Sequence, residues 1–391
     1  MSSAAKCLPL TRSSVQAAHE LIKPHVHRTP VIHSRTLDEF ASRQQTPAEL
    51  KGTPWEGTAE RAAKPTVRLW IKCENLQRIG AFKARGAFHA VGRLVANEDW
   101  VAAGGRENGV ATHSSGNHAQ ALALAARENG VPAHVVMPSI SNPKKVEATK
   151  GYGAFVYESG STAPERQELL DKVVADTGAT FVPPYNHPDI ILGQGTAALE
   201  LQEQAAELIA EHAAKNPGSK PREGLDAIVT PCGGGGLLSG TALSCEGTGI
   251  SVFAGEPSHQ GADDLFRAIR AGLKAPIADV KTLTIADGLR TPVGEIPWSV
   301  IRGDRKLVRD AFTVTERDIS KTLKFVLERL KVVVEPSAVV GLAVVLFNEE
   351  FRQLVEREGG KDGWDIGVIF TGGNVSLDDL PALLKIGEDE V

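Results

Sequence analysis

The stretch Ala227-Ile-Val-Thr-Pro-Cys-Gly-Gly-Gly-Gly-Leu-Leu-Ser-Gly240 decides how this chain is read. The apolar, β-branched run Ala227–Thr230 predicts a buried strand, and the apolar residues from Leu237 onward predict a helix. Between them stand Gly233, Gly234, Gly235 and Gly236. Four successive glycines carry a conformational cost that an ordinary turn does not need. Side-chain-free amides at the start of a helix can wrap a phosphate and donate several hydrogen bonds to it. The segment is neither a Gly-x-Gly-x-x-Gly dinucleotide fingerprint nor a glycine loop ending in Lys-Ser/Thr. A flexible linker could carry such glycines, but it would not lie between a buried strand and an apolar helix.

The same alternation continues in both directions. Strands are predicted at Val67–Cys73, Gly109–Thr112, Ala133–Val136, Ala154–Tyr157, Ser251–Gly255 and Gly367–Thr371, and helices at His118–Glu128, Ala197–Ala214 and Ile319–Leu330. This is the pattern of an α/β protein with a largely parallel sheet, which binds ligands at the carboxyl ends of its strands. Ala41–Pro65, rich in Pro, Gly, Thr and charge, reads as a surface insertion, and Lys215–Gly224 as a polar connection.

Composition narrows the function. The 391 residues are 42% hydrophobic and 23% charged with a net charge of -5, which describes a globular chain of more than one domain's usual length. The interspersed charge gives no footprint for nucleic acid or an anionic membrane. Met1 to Pro30 holds no apolar run long enough for a signal peptide or a spanning helix. Cys7, Cys73, Cys232 and Cys245 fall in no metal-ligand or redox spacing, so four buried free thiols in a reducing cytoplasm are expected.

Three further segments carry chemistry. Gly80-Ala-Phe-Lys83-Ala-Arg-Gly86 sets a lysine among small residues just beyond a strand. Enclosure there would lower its pKa by desolvation and supply a neutral amine, although a lone lysine is more often a solvated one. Thr112-His-Ser-Ser-Gly-Asn-His118 places hydroxyl and amide side chains at a helix N-terminus, suited to a carboxylate or phosphate and equally to a plain cap. Phe370-Thr-Gly-Gly-Asn374 ends a strand with a neutral hydroxyl, Thr371, and a glycine pair that also suits a simple turn.

Together, in this order, the four segments resemble the fold type II pyridoxal-phosphate enzymes, and within them the serine racemase and serine/threonine dehydratase family, hydroxyaspartate dehydratase-like members included. The resemblance runs from about His19 to Leu380. It implies two α/β domains with open, twisted, mostly parallel sheets and the active site between them. Residues 1–104 and 188–391 would form the large domain and 105–187 the small one. It implies that Lys83 forms the Schiff base with pyridoxal phosphate, with Phe82, Asn117, Gly233–Gly236, Glu335 and Thr371 around the cofactor. Ser114, Ser115, Gly116, Asn117 and His118 would grip the substrate, with Asp287, Thr291 and Arg166 also facing it. Glu256, the Ala262 carbonyl and Asp264 would hold Mg²⁺ or Ca²⁺, although about two extra residues separate Glu256 from Ala262 here.

The resemblance implies β-elimination of a small β-hydroxy amino acid to a keto acid and ammonia, in a cytoplasmic homodimer. L-serine, L-threonine and 3-hydroxyaspartate are the candidate substrates. Ser115 leaves a second reading open: a racemase with Lys83 and Ser115 as proton donors on opposite faces of the cofactor. Ala81 stands where many members carry serine, which weakens the case for serine as substrate. A silent amino-acid-binding protein is disfavoured by the retained lysine and glycine loop. No appended regulatory domain is expected after Leu380.

Overall fold

The protein, a computed structural model, is described over residues 7–215 and 223–386. Most of the connection expected at Lys215–Gly224 lies outside the described residues. Among the described residues, ten strands form two sheets. The larger has the order β1-β2-β10-β7-β8-β9, built from Val31–His33 (β1), Val67–Cys73 (β2), Ala227–Pro231 (β7), Ser251–Pro257 (β8), Asp310–Val314 (β9) and Trp364–Phe370 (β10). Its strands are parallel except β1, which pairs with β2 antiparallel. The smaller sheet, order β5-β4-β3-β6, is wholly parallel and takes Val110–His113 (β3), Ala133–Pro138 (β4), Phe155–Ser159 (β5) and Thr180–Phe181 (β6).

The strands of the larger sheet are apolar on both faces because helices cover both. Leu69, Ile71, Val229, Phe253 and Val368 pack on one side, against the fully buried helix Pro336–Phe347. Their neighbours Trp70, Ile228, Ala254 and Ile369 face the other way, toward Pro188–Lys215 and Gly236–Cys245. This period of two is the alternation a pleated strand imposes. The three strands that the sequence reading does not place, β1, β6 and β9, lie at sheet edges. β1 and β6 span only three and two residues, too few to show a period.

Residues 41–65 are more than a surface excursion. Leu50, Ala62 and Ala63 are buried, and the segment is tied to the helix Glu349–Gly359. Arg352 donates to the carbonyls of Ala41 (2.6 Å) and Ala63 (3.2 Å), and the Ala63 amide donates to Glu349 (2.6 Å). Among the described residues no helix is long and apolar enough to cross a membrane. Three cysteines are buried free thiols as expected; Cys7 is instead exposed.

Candidate active site

Lys83 opens the helix Lys83–Val95, directly after the turn that follows β2. Its Nζ lies 5.0 Å from the Phe82 ring centroid and donates to the Pro184 carbonyl at 2.7 Å. Burial pushes the amine down to about 7, with the Glu335 carboxyl opposing the shift. The sequence alone could suggest such enclosure; the fold supplies it.

The helix is held from below by a buried ionic cluster. Arg85, two residues on, donates through Nε and Nη2 to Glu74 (2.7 and 2.8 Å) and through Nη1 and Nη2 to Glu200 (both 2.9 Å). Lys72 donates to Glu200, to the Thr29 carbonyl and to Gln204, each at 2.7 Å. Two cations thus meet two carboxylates with nearly every donor satisfied, the condition under which buried charge is tolerated. Burial works to raise Glu200, but His19, Arg85 and Lys72 hold it well below the usual carboxylate range.

The glycine loop follows β7 and leads into the helix Gly236–Cys245, with Gly235 at φ 84°. Its closeness to other chain segments explains the residue type. A Cβ on Gly233 would stand 2.9 Å from the Leu289 Cα. On Gly234 it would stand 2.3 Å from the Tyr185 ring, and on Gly236 2.4 Å from Gln194 Oε1. Pro184 and Tyr185 therefore bridge the lysine and the loop: one residue's carbonyl holds Nζ, and the next residue's ring lies on the glycines. The Gln194 amide also donates to the Pro184 carbonyl, at 3.4 Å.

A third group converges from the opposite sheet. Asn117 begins the helix Asn117–Glu128, and its Nδ2 donates to Glu335 Oε1 and Oε2 at 3.0 and 3.3 Å. Asn374 Nδ2 donates to Asn117 Oδ1 (2.8 Å) and to the Ile79 carbonyl (2.7 Å). The Asn117 amide is therefore fixed in one orientation, its oxygen accepting from Asn374 and its nitrogen donating to Glu335. Burial, then Asp287, pushes Glu335 up to about 7, while Lys145 and Asn117 pull it down. The Thr371 carbonyl accepts from the Phe82 amide at 3.0 Å, and the Glu335 amide donates to the Gly372 carbonyl at 3.0 Å. Phe82, Lys83, Asn117, Glu335, Thr371 and the glycine loop thus form one connected cluster.

The other expected residues are placed less uniformly. Ser115 and Asp287 are exposed, Ser114 and Gly116 half-buried, and the Gly116 amide donates to Ser114 Oγ at 3.3 Å. Asp287 pairs with Lys145 Nζ at 2.8 Å, a contact from the smaller sheet's side of the cleft. Thr291 is exposed. Arg166 lies on the helix Ala163–Thr177, close enough to His113 to help depress it after burial's larger effect. Its Nε is buried without a hydrogen-bond partner among the described residues. His118 is placed differently from its neighbours in this segment. It is buried, Nε2 meets the Val182 carbonyl at 3.1 Å, and burial then Lys83 push the ring down to about 3. Helical periodicity turns residue 118 inward, one position after Asn117 faces the cleft.

Glu256, the penultimate residue of β8, accepts the Leu265 and Phe266 amides at 3.2 and 2.8 Å. Asp264 accepts the Val293 amide at 3.1 Å, and Ala262 lies buried between them in the chain. Burial and the neighbouring Asp264 raise Glu256 well above the usual range; burial raises Asp264 to about 6. A short turn, His259–Gly261, with Gln260 at φ 50° and Gly261 at φ 83°, joins Glu256 to Ala262.

Sequence reasoning passes over Pro184, Tyr185, Asn374 and Lys145. Asn374 closes a segment already singled out for its glycines. Pro183-Pro-Tyr-Asn-His-Pro188, a proline-bounded polar stretch before a long helix, was a legible signal of a fixed loop.

The cluster suits a phosphorylated aldehyde cofactor: a poised amine, a helix-start cradle too tight for any side chain, and an oriented amide. The chain belongs to the pyridoxal-phosphate dependent enzymes, whose family model matches residues 48–372. It is 39% identical over 373 residues to a beta-hydroxyaspartate dehydratase of Paracoccus denitrificans (95% of this chain, 98% of that one). It is 40% identical over 371 residues to a serine racemase of Arabidopsis thaliana, covering 94% of each. The crystal structure of serine racemase from Dictyostelium discoideum superposes with a TM-score of 0.74 at 35% identity, covering 94% of this chain and 99% of that one.

Proposed function

We propose that the protein is an ammonia-lyase that eliminates water from a small β-hydroxy amino acid, with 3-hydroxyaspartate favoured and serine and threonine as alternatives. The observation that carries this reading is the enclosed Lys83 amine, tied through Pro184 and Tyr185 to the glycine loop. Bound pyridoxal phosphate supplies an electron sink that acidifies the α-proton of an attached amino acid. Gly233–Gly236 would hold its phosphate, Asn117 its ring oxygen, and Thr371 its ring nitrogen, with Phe82 and Glu335 alongside. Lys83, whose amine burial makes easier to deprotonate, would take the α-proton. A neutral hydroxyl at the ring nitrogen suits elimination, in which the leaving group carries the electrons away.

Ser114, Ser115 and Gly116 would grip the α-carboxylate at the helix start, with Asp287 and Thr291 at the outer edge of the cleft. Arg166, with its buried Nε unbonded beside His113, supports a substrate bearing a second carboxylate. A second reading rests on Ser115, whose exposed hydroxyl could return a proton opposite Lys83 and so racemise. The paired Glu256 and Asp264, with the Ala262 carbonyl, are suited to Mg²⁺ or Ca²⁺ in an oxygen shell, since two buried carboxylates repel unless a cation or a proton joins them. A homodimer in the cytoplasm completes the reading, and an exposed free thiol at Cys7 suits a reducing compartment.

The test is to give the purified holoenzyme L-serine, L-threonine and L-threo-3-hydroxyaspartate separately, following keto acid, ammonia and the chirality of remaining substrate. Stoichiometric oxaloacetate and ammonia from hydroxyaspartate is the expected result. No keto acid and no inverted isomer from any of the three would overturn the substrate class.

A further inference from the structure

At the far end of the loop that bridges the lysine and the glycines, a side chain of the loop, one of the helix that follows and one of the N-terminal segment meet, all unused by the reaction. Cys7, His187 and Asp189 each offer one ligand atom, and these atoms lie within 4.8 Å of one another. Cys7 is exposed, His187 half-buried and Asp189 buried. The carboxylate is under-satisfied where it stands. Asp189 Oδ1 is buried and accepts no hydrogen bond among the described residues, and its ion-pair partner, Arg93 Nε, is 3.5 Å away. The Asp189 backbone is fixed from the other side, its carbonyl meeting His89 Nδ1 at 2.6 Å.

We propose that Cys7, His187 and Asp189 form a binding site for a borderline-soft divalent cation of the zinc type, separate from the Glu256–Asp264 pair. One thiolate, one imidazole and one carboxylate are a donor set that zinc accepts, with water in the fourth position. Zinc–ligand distances of about 2.0–2.3 Å put tetrahedral ligands roughly 3.3–3.8 Å apart, so closure asks for about 1–1.5 Å of movement. The exposed Cys7 side chain can supply it. On binding, the Cys7 thiol releases its proton to solvent and the sulfur bonds the metal.

The competing interactions are modest. His187 Nδ1 accepts the Asp189 amide at 3.2 Å. A metal on Nδ1 would use that lone pair, and a metal on Nε2 would place the proton on Nδ1, so either mode gives up only this long bond. A carboxylate has two oxygens, enough for Arg93 on one and a metal on the other. The chemistry separates this site from the oxygen-lined pair, which suits Mg²⁺ or Ca²⁺. The consequence is a brace: the metal would pin the chain's N-terminal segment to the loop holding Pro184 and Tyr185.

Cobalt(II) reports a thiolate ligand through a sulfur-to-metal charge-transfer band in the near ultraviolet. Metal-stripped full-length protein, reconstituted with pyridoxal phosphate and saturated with Mg²⁺, would be titrated with Co²⁺. A difference spectrum against the same holoenzyme without cobalt removes the cofactor's own absorption. The expected result is a charge-transfer band saturating at one Co²⁺ per chain and displaced by Zn²⁺. It should be lost in Cys7→Ser, lost or weakened at least about tenfold in affinity in His187→Ala, and retained in Asp264→Asn. No band, or a band unchanged in Cys7→Ser, would overturn the site. A band that Asp264→Asn abolishes while His187→Ala keeps it would do the same.

Discussion

Lys83 is a cation that the fold has made costly to keep charged. Burial lowers its pKa to about 7, far under the unfolded value of about 10.4, so the native apoprotein binds fewer protons than the unfolded chain between those limits. Its penalty on stability is therefore full below pH 7 and is relieved as pH rises toward 10.4. Replacing it with methionine should raise the Tm of the apoprotein most below pH 7, with the gain shrinking across roughly pH 7–10.4, the interval those pKa values bracket. A constant gain in thermal melts across pH would contradict the enclosed amine. The same substitution should cut turnover by at least about 10²–10⁴-fold, the usual worth of a positioned acid/base. At Ser115, change to alanine should abolish inversion of the substrate while some elimination of the L-isomer persists, measured by chiral chromatography beside keto-acid release. Equal loss of both activities would sink the two-face reading.

The glycine loop and the lysine helix are each fixed by neighbours remote in sequence. Gly234→Ala would drive a methyl into the Tyr185 ring, where overpacking costs about 1–3 kcal/mol. Cofactor retention should fall, and adding Tyr185→Ala should restore part of it, read by equilibrium dialysis of pyridoxal phosphate. No recovery would mean that the ring does not set the loop. Beneath the lysine helix, Arg85→Met would strip two buried carboxylates of their shared partner, a change of the kind that costs about 3–5 kcal/mol. Because Glu200 is held below the unfolded carboxylate pKa, its contribution is present above about pH 4.5 and lost as pH falls further. Urea midpoints of the protein and the variant should accordingly converge toward acid; parallel curves would contradict the ionic account.

Over the whole molecule, the alternating strands and helices were legible because burial on both faces leaves continuous apolar runs, as in Ala227–Pro231. The short edge strands were not, since two or three residues carry no period. The glycine loop could be read because its composition is unreasonable for a linker. Lys83 could be read only jointly with it. What the sequence could not reveal were the partners brought from elsewhere. The Pro184 carbonyl lies 101 residues from Lys83, and Asn374 lies 257 residues from Asn117. His118 is a polar residue of a functional segment that helical geometry turns inward.

A local connection, the short turn His259–Gly261, brings Glu256 and Asp264 near one another. Chelation of the holoenzyme should lower its Tm and Mg²⁺ should restore it, an effect absent in Asp264→Asn; melts unmoved by chelator would remove the cation from the account. The central claim is that one lysine holds the cofactor in this constellation. Borohydride reduction of the holoenzyme, followed by proteolysis and mass spectrometry, tests it directly. The pyridoxyl adduct is predicted on the peptide containing Lys83, with none in Lys83→Ala. An adduct on another lysine, or none at all in protein saturated with pyridoxal phosphate, would contradict it.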